Sequence, residues 1–444
     1  MQKNLTQGPI TKTLVVFALP MIGGNMLQQL YNIADTLIVG RFIGSGALAA
    51  VGSSYTLMTF LTSILLGLCM GSGAVFSIRY GEGDIEKLHE SLGASFVLIL
   101  AVAAVLNLAV FLLIDPIMYL LQVPGEIYDM MRQYLWVIFW GILATFLYNY
   151  FACLLRAVGN SVAPLIFLAV SSVMNIVLDL WFVLGFHWGV AGAAFATVLS
   201  QYVSGIGLAV YTYWKTPEFR IQMKYLKPKP AMLKEIGQFS FLTSVQQSVM
   251  NLGILMVQGL VNSFGTVIMA AFAAAVKIDS FAYMPAQEFG NAFSTYVAQN
   301  YGAGKTERIR KGIKTAVVLS VGFCLVISLL VFIFAGPLMT IFVDPAETEI
   351  LEAGVEYLRI EGAFYCGIGC LFLLYGLYRA IKRPGMSVVL TIFSLGTRVV
   401  LAYVLSGIDF IGVTGIWWSV PIGWALADLV GFVYYKKNKK KLFN

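Results

Sequence analysis

The stretch YGEGD, Tyr80–Asp84, returns 221 positions later as YGAGK, Tyr301–Lys305. Three more matches follow in the same order. DPIMYLL from Asp115 recurs as GPLMTIF from Gly336, again 221 apart. Arg156-Ala157 recurs as Arg379-Ala380, and GVAG from Gly189 as GVTG from Gly412, both 223 apart. Four in-order matches at a nearly constant offset read as an internal duplication. Outward from these turns, each copy is filled by long apolar runs. Twelve can be counted, the first beginning near residue 13 and the last ending near residue 435, six to a copy.

Composition says what such runs are for. Hydrophobic residues make up 59% of the 444, and charged residues only 11%. Soluble domains carry about 25% charged residues, and a spanning helix needs roughly 20 apolar ones. The expected fold class is therefore an all-α polytopic membrane protein, twelve transmembrane helices in two pseudo-symmetric six-helix lobes. Ten-residue alternating strands are absent, which argues against a β-barrel. The expected division is an N-lobe over 1–213, a cytoplasmic linker over 214–234, a C-lobe over 235–435 and a basic tail over 436–444. Six spans per copy make the repeats parallel, related by an axis along the membrane normal, as in transporters.

The net charge of +7 belongs to topology, with no nucleic acid implied. Alternate connections hold 24 of the 29 basic residues, while the opposite loops hold only Arg41. The positive-inside rule then places both termini in the cytoplasm. The first apolar run lacks a small-residue cleavage site and is expected to be retained. Five cysteines, all inside spans, argue against a disulfide framework and for packing. His89 is expected to be solvated in a charged loop, and His187 to belong to an interfacial belt. YGEGD lacks a following Lys-Ser/Thr and reads as a turn.

The chemistry is expected where charge interrupts grease. In LYNIADTLIVGRF, Leu30–Phe42, Asp35 has Asn32 one turn back and Gln28 two turns back. A carboxylate in mid-membrane costs about 2.5–3.5 kcal/mol and is a functional site by default. Pro20, earlier in that helix, removes a backbone hydrogen bond and is expected to bend it. In VSSVMNIVLDLWF, Val170–Phe182, Asn175 and Asp179 share a face at i,i+4. Two carboxylates with amide oxygens can coordinate Na⁺ (Asp35 and Asp179 the metal ligands) or share a proton. Their counterparts in the second copy, near Ile254 and Ala402, are apolar, so the acidic pair belongs to one lobe.

The second copy has charges of its own: Lys277, Asp279, Glu288, Glu361, Arg398 and Asp428. Glu288 is 14 residues from Gly302 and Arg398 is 13 from Gly385. Both therefore sit roughly 20 Å in from the cytoplasmic side. Arg398 can pair with Glu288 or Glu361. Glu288 either binds a cationic substrate or neutralises Arg398.

With these residues in view, the chain resembles bacterial transporters of the multidrug and toxic compound extrusion (MATE) family. ALPMIGGNMLQQLYNIADTLIVGRFIGSGALAAVG, Ala18–Gly52, and RAVGNSVAP, Arg156–Pro164, carry the likeness, which covers essentially the whole length. The resemblance implies a secondary active antiporter of the bacterial inner membrane. It would export small cationic drugs in exchange for H⁺ or Na⁺, with no other cofactor and no catalytic residues, as a monomer among membrane lipids. It maps coupling-ion roles onto Asp35, Asn175, Asp179 and Thr197, and cavity roles onto Gln28 and Asn149. Glu288 resembles an acidic position on helix 8 of some multidrug members, and Glu361 lies in the helix on which another branch relies. The alternative is a lipid-linked oligosaccharide flippase of the same superfamily, for which a more cationic cavity is expected. A membrane enzyme finds no nucleophile–base pair or metal spacing to support it.

Overall fold

In a bilayer every backbone N–H and C=O must be satisfied within the protein, and a helix does so span by span. The computed structural model describes residues 4–120 and 123–442. Lys3 of the basic N-terminus and the last two residues of the basic tail lie outside these. The apolar runs form α1 Ile10–Phe42, α2 Ser45–Glu82, α3 Ile85–Leu112, α4 Gly125–Ile138 with Gly141–Ala157, α5 Val162–Gly185 and α6 Gly189–Lys215. The second copy forms α7 Pro230–Asn262, α8 Thr266–Gly302, α9 Thr306–Met339, α10 Thr348–Gly362 with Tyr365–Ala380, α11 Pro384–Ser406 and α12 Thr414–Leu442. A short helix, Ile114–Leu120, bridges α3 and α4. Among the described residues nine of these are single apolar spans, with α9 kinked at Phe334, and two are bent pairs. The twelfth, α7, is more polar, with Gln238, Gln246, Gln247 and Asn251 along it.

The duplication is legible in the turns. Gly44 and Gly265, 221 apart, have φ of 121° and 96°. Gly83 and Gly304, also 221 apart, have 73° and 67°; Gly189 and Gly412, 223 apart, have 57° and 53°. Gly159 and Lys382, again 223 apart, share the left-handed region at 88° and 60°. YGEGD is a helix-ending turn in which Gly83 N–H donates to the Tyr80 carbonyl at 3.2 Å, and Gly304 does the same to Tyr301 at 3.1 Å. The bends repeat too: α4 turns by 44° and α10 by 51°.

Packing divides the chain into two compact units, and they do not begin where the copies begin. Among the described residues one comprises Asn4 and Gly23–Ser244, the other Leu5–Ile22 and the chain from Val245 onward. The start of α1 is thus packed with the second copy, and the start of α7 with the first. In the first unit, α7 lies so close to α2 that a Cβ on Gly71 would stand 2.5 Å from the Phe239 carbonyl oxygen. Ser72 and Ser240 hydroxyls hydrogen-bond across this contact at 2.8 Å, and Met232, Ile236 and Phe239 share a buried cluster with Ala74, Val75 and Ala94.

Reciprocal straps hold the two helix starts. In the second turn of α7 Glu235 is gripped by Arg79 at 2.7 Å, and ahead of the helix Lys229 pairs with Glu90 and Tyr225 stacks on His89 with centroids 5.8 Å apart. His89 is therefore buried and not solvated, because the connecting segment folds over it. Ahead of α1, in the second unit, Arg308 donates to the carbonyls of Gly8 at 2.8 Å and Gln7 at 2.7 Å. Lys305 donates to the Thr6 carbonyl at 2.9 Å, and Leu5 N–H to Gln299 Oε1 at 3.1 Å.

Candidate functional site

Asp35 lies seven residues before the end of α1, and Asp179 six before the end of α5. Both are about 10 Å from the same ends of their spans, so they share a depth. In the first unit their side chains come close enough to act on one another electrostatically. Asp179 is fully buried and Asp35 half-buried. Asp35 Oδ1 and both oxygens of Asp179 are shielded from solvent, and among the described residues no donor other than the facing carboxyl reaches them. No described basic side chain forms an ion pair with either. Two buried acceptors facing each other without a cation form a receptor for one: a proton shared between them, or a small hard cation.

The expected neighbours are partly assembled there. Asn175, also buried, donates its amide to Thr197 Oγ1 at 3.3 Å, and Thr197 donates to the Ala193 carbonyl at 3.1 Å. Asn175 Oδ1 is left without a partner one turn from Asp179. Immediately beyond Asp179, α5 widens into a π-helical turn over Trp181–Gly185, a local irregularity that recurs at functional sites. Gln28 is exposed and its side chain meets Tyr31. Asn149 donates to Thr145, one turn back on its own helix, at 2.9 Å. Pro20 lies within α1 two residues before Ile22, where one packing unit gives way to the other.

Two residues absent from the sequence reading join this site. Tyr31 and Tyr134 both lie within electrostatic range of Asp35, and Tyr134 also of Asp179. Tyr31 stands one turn before Asp35 and was visible as such. Tyr134 arrives from the first rod of α4, and nothing in its local sequence signals it.

The second unit holds a different arrangement. Asp279 of α8, Glu361 of α10 and Arg398 of α11 line one cavity of about 100 Å³. Asp279 and Glu361 are buried, and Tyr357 and Tyr365 lie beside them. Asp279 thus stands with Glu361, one of the two acids expected to pair with Arg398. Arg398 faces this pair, and its Nε is buried without a partner. Glu288 lies nine residues further along α8, accepts a 3.4 Å hydrogen bond from Asn291, and is outside the residues lining this cavity. Here the acids have a guanidinium for company; the Asp35–Asp179 pair has none.

The profile of the MatE family matches residues 20–181 and again 240–404. This chain belongs to the MatE family. The MatE profile thus begins twice, 220 residues apart (240 − 20), close to the spacing of the repeated turns. This MatE protein is 30% identical over 441 residues to "Probable multidrug resistance protein YpnP" of Bacillus subtilis, covering 99% of this chain and 97% of that one. It is 28% identical over 440 residues to "Probable multidrug resistance protein NorM" of Thermotoga maritima, covering 98% and 92%. A solved structure of a MOP superfamily transporter from Pyrococcus furiosus superposes with a TM-score of 0.93 at 24% identity, over 99% of this chain and 98% of that one. The twelve-helix, two-lobe MATE fold is the fold of this protein.

Proposed function

We propose that this MatE protein is a secondary active multidrug efflux antiporter that exports organic cations in exchange for H⁺ or Na⁺. The observation that carries the reading is the buried Asp35–Asp179 pair, close together and without a counter-cation. Names of the relatives add multidrug resistance as the associated activity. In this reading a proton or Na⁺ entering from outside neutralises the pair, with Asn175 Oδ1, one turn from Asp179, as a spare oxygen. Neutralisation relaxes the repulsion between α1 and α5, and α1 rearranges near Pro20. Ion and drug need only favour different conformations for their movements to be coupled. Both termini are cytoplasmic, as the basic connections direct.

The test is efflux of ethidium from proteoliposomes, with pH and Na⁺ gradients imposed separately. Wild type should respond to one of them. Asp35→Asn and Asp179→Asn should each lose gradient-driven efflux at least tenfold, because either leaves a single carboxyl. Full coupled transport by Asp35→Asn overturns the assignment. No efflux of any cation by wild type, with lipid-linked oligosaccharide moved instead, would establish the flippase.

A further inference from the structure

In the second unit, α8, α9, α10 and α12 enclose a cavity of about 330 Å³ that no residue of the Asp279–Glu361 cluster reaches. Phe293, Val317, Cys370, Phe432 and Tyr435 help to line it, and into this apolar wall α12 sets one carboxyl, Asp428. Asp428 Oδ1 is shielded from solvent with no hydrogen-bond partner. Among the described residues no lysine, arginine or histidine lines the cavity, in contrast to the cavity that holds Arg398.

Asp428 is half-buried, and a carboxyl whose inner oxygen lacks a partner is costly in a membrane span and marks a site by default. A cavity near 300 Å³ is the lower end of what holds a drug-sized ligand. The charge asks for a cation. The lining asks for an apolar body, and Phe293, Phe432 and Tyr435 offer aromatic faces to a diffuse positive charge. Phe432 is 60% exposed and Val317 39%, so the mouth is open along the span. Asp428 lies eight residues before Lys436, about 12 Å in from that basic end.

We propose that this cavity is a second ligand site, taking a lipophilic monovalent cation with Asp428 as its counter-charge. The proposal rests on the efflux reading for its use, and names a class of substrate for it: amphiphilic cations that enter from the apolar phase. A lipid acyl chain is the competing occupant, and it would be indifferent to the carboxyl.

Equilibrium binding of tritiated tetraphenylphosphonium to the full-length protein in detergent, with no gradient, tests this. The Asp35→Asn/Asp179→Asn background removes the coupling-ion acids, so the organic cation cannot be held by that pair. That background should keep one saturable site, and adding Asp428→Asn should weaken it at least tenfold, about 1.4 kcal/mol. Cys370→Phe, which fills the cavity with Asp428 intact, should do the same. Tetraphenylborate, alike in shape and opposite in charge, should compete at least tenfold more weakly than unlabelled tetraphenylphosphonium. No saturable binding, or binding within twofold of the background in both added variants, overturns the proposal. Equal competition by tetraphenylborate also overturns it, leaving a greasy groove for lipid. Intact binding without gradient-driven efflux would remove the antiport reading and leave this site standing. Efflux without Asp428-dependent binding would do the reverse.

Discussion

Gly159 and Lys382 occupy the same turn of the two copies, and both have positive φ. At 60° Lys382 sits in the left-handed well, which a side chain tolerates at a cost of about 1–2 kcal/mol. Gly159 at 88° lies outside the part of that well a Cβ accepts easily. Gly159→Ala should therefore destabilise by about 1–2 kcal/mol, read as a fall in the detergent melting temperature. Asp35 and Asp179 were legible as single residues, because a carboxyl in an apolar run stands out by itself. Tyr134 was not, because its place beside them depends on where the first rod of α4 lies, which is a tertiary fact. Asp279 fell between: visible as a charge, but joined to Glu361 and Arg398 only when three helices come together.

Elements repeat the lesson at larger grain. Hydropathy places the spans well, because the cost of an unsatisfied backbone leaves few alternatives. It does not show that α4 and α10 bend, since neither break, Phe139–Trp140 or Ala363–Phe364, holds a proline or a charge. Nor does it show how tightly α2 and α7 approach. Gly71 is one of several small residues in α2, and only the close Phe239 carbonyl reveals that no Cβ fits. Gly71→Leu should push α7 off α2 and cost about 3 kcal/mol or more, an overpacking effect. Melting temperature and the yield of monodisperse protein would report it. Gly237→Leu, whose Cβ meets nothing within 4 Å, is the matched control and should change little.

On the scale of the whole molecule, the straps set the behaviour of the helix starts. Arg308 bonds two main-chain carbonyls ahead of α1 at under 3 Å. Arg308→Ala should remove roughly 1–2 kcal/mol of local protection, so amides of residues 5–8 exchange about tenfold faster. Unchanged exchange would mean that Lys305 and Gln299 hold the segment unaided. The duplicated halves were legible in sequence, but not which half each helix start packs with. A repeat reveals ancestry along the chain, and packing is free to cross it.

That crossing bears on what a single copy could ever have been. A chain ending after α6 leaves Gly67 and Gly71 without the stretch of α7 that covers them, and the segment ahead of α1 without Gln299 and Arg308. Residues 1–220 expressed alone should therefore be degraded or aggregate, and co-expression with residues 221–444 should recover both as one particle on size exclusion. One copy closes its exposed face only by borrowing a helix start from another chain and lending its own. Proteins that do this are exchange dimers, and here the loan has been made permanent by joining the two parties end to end.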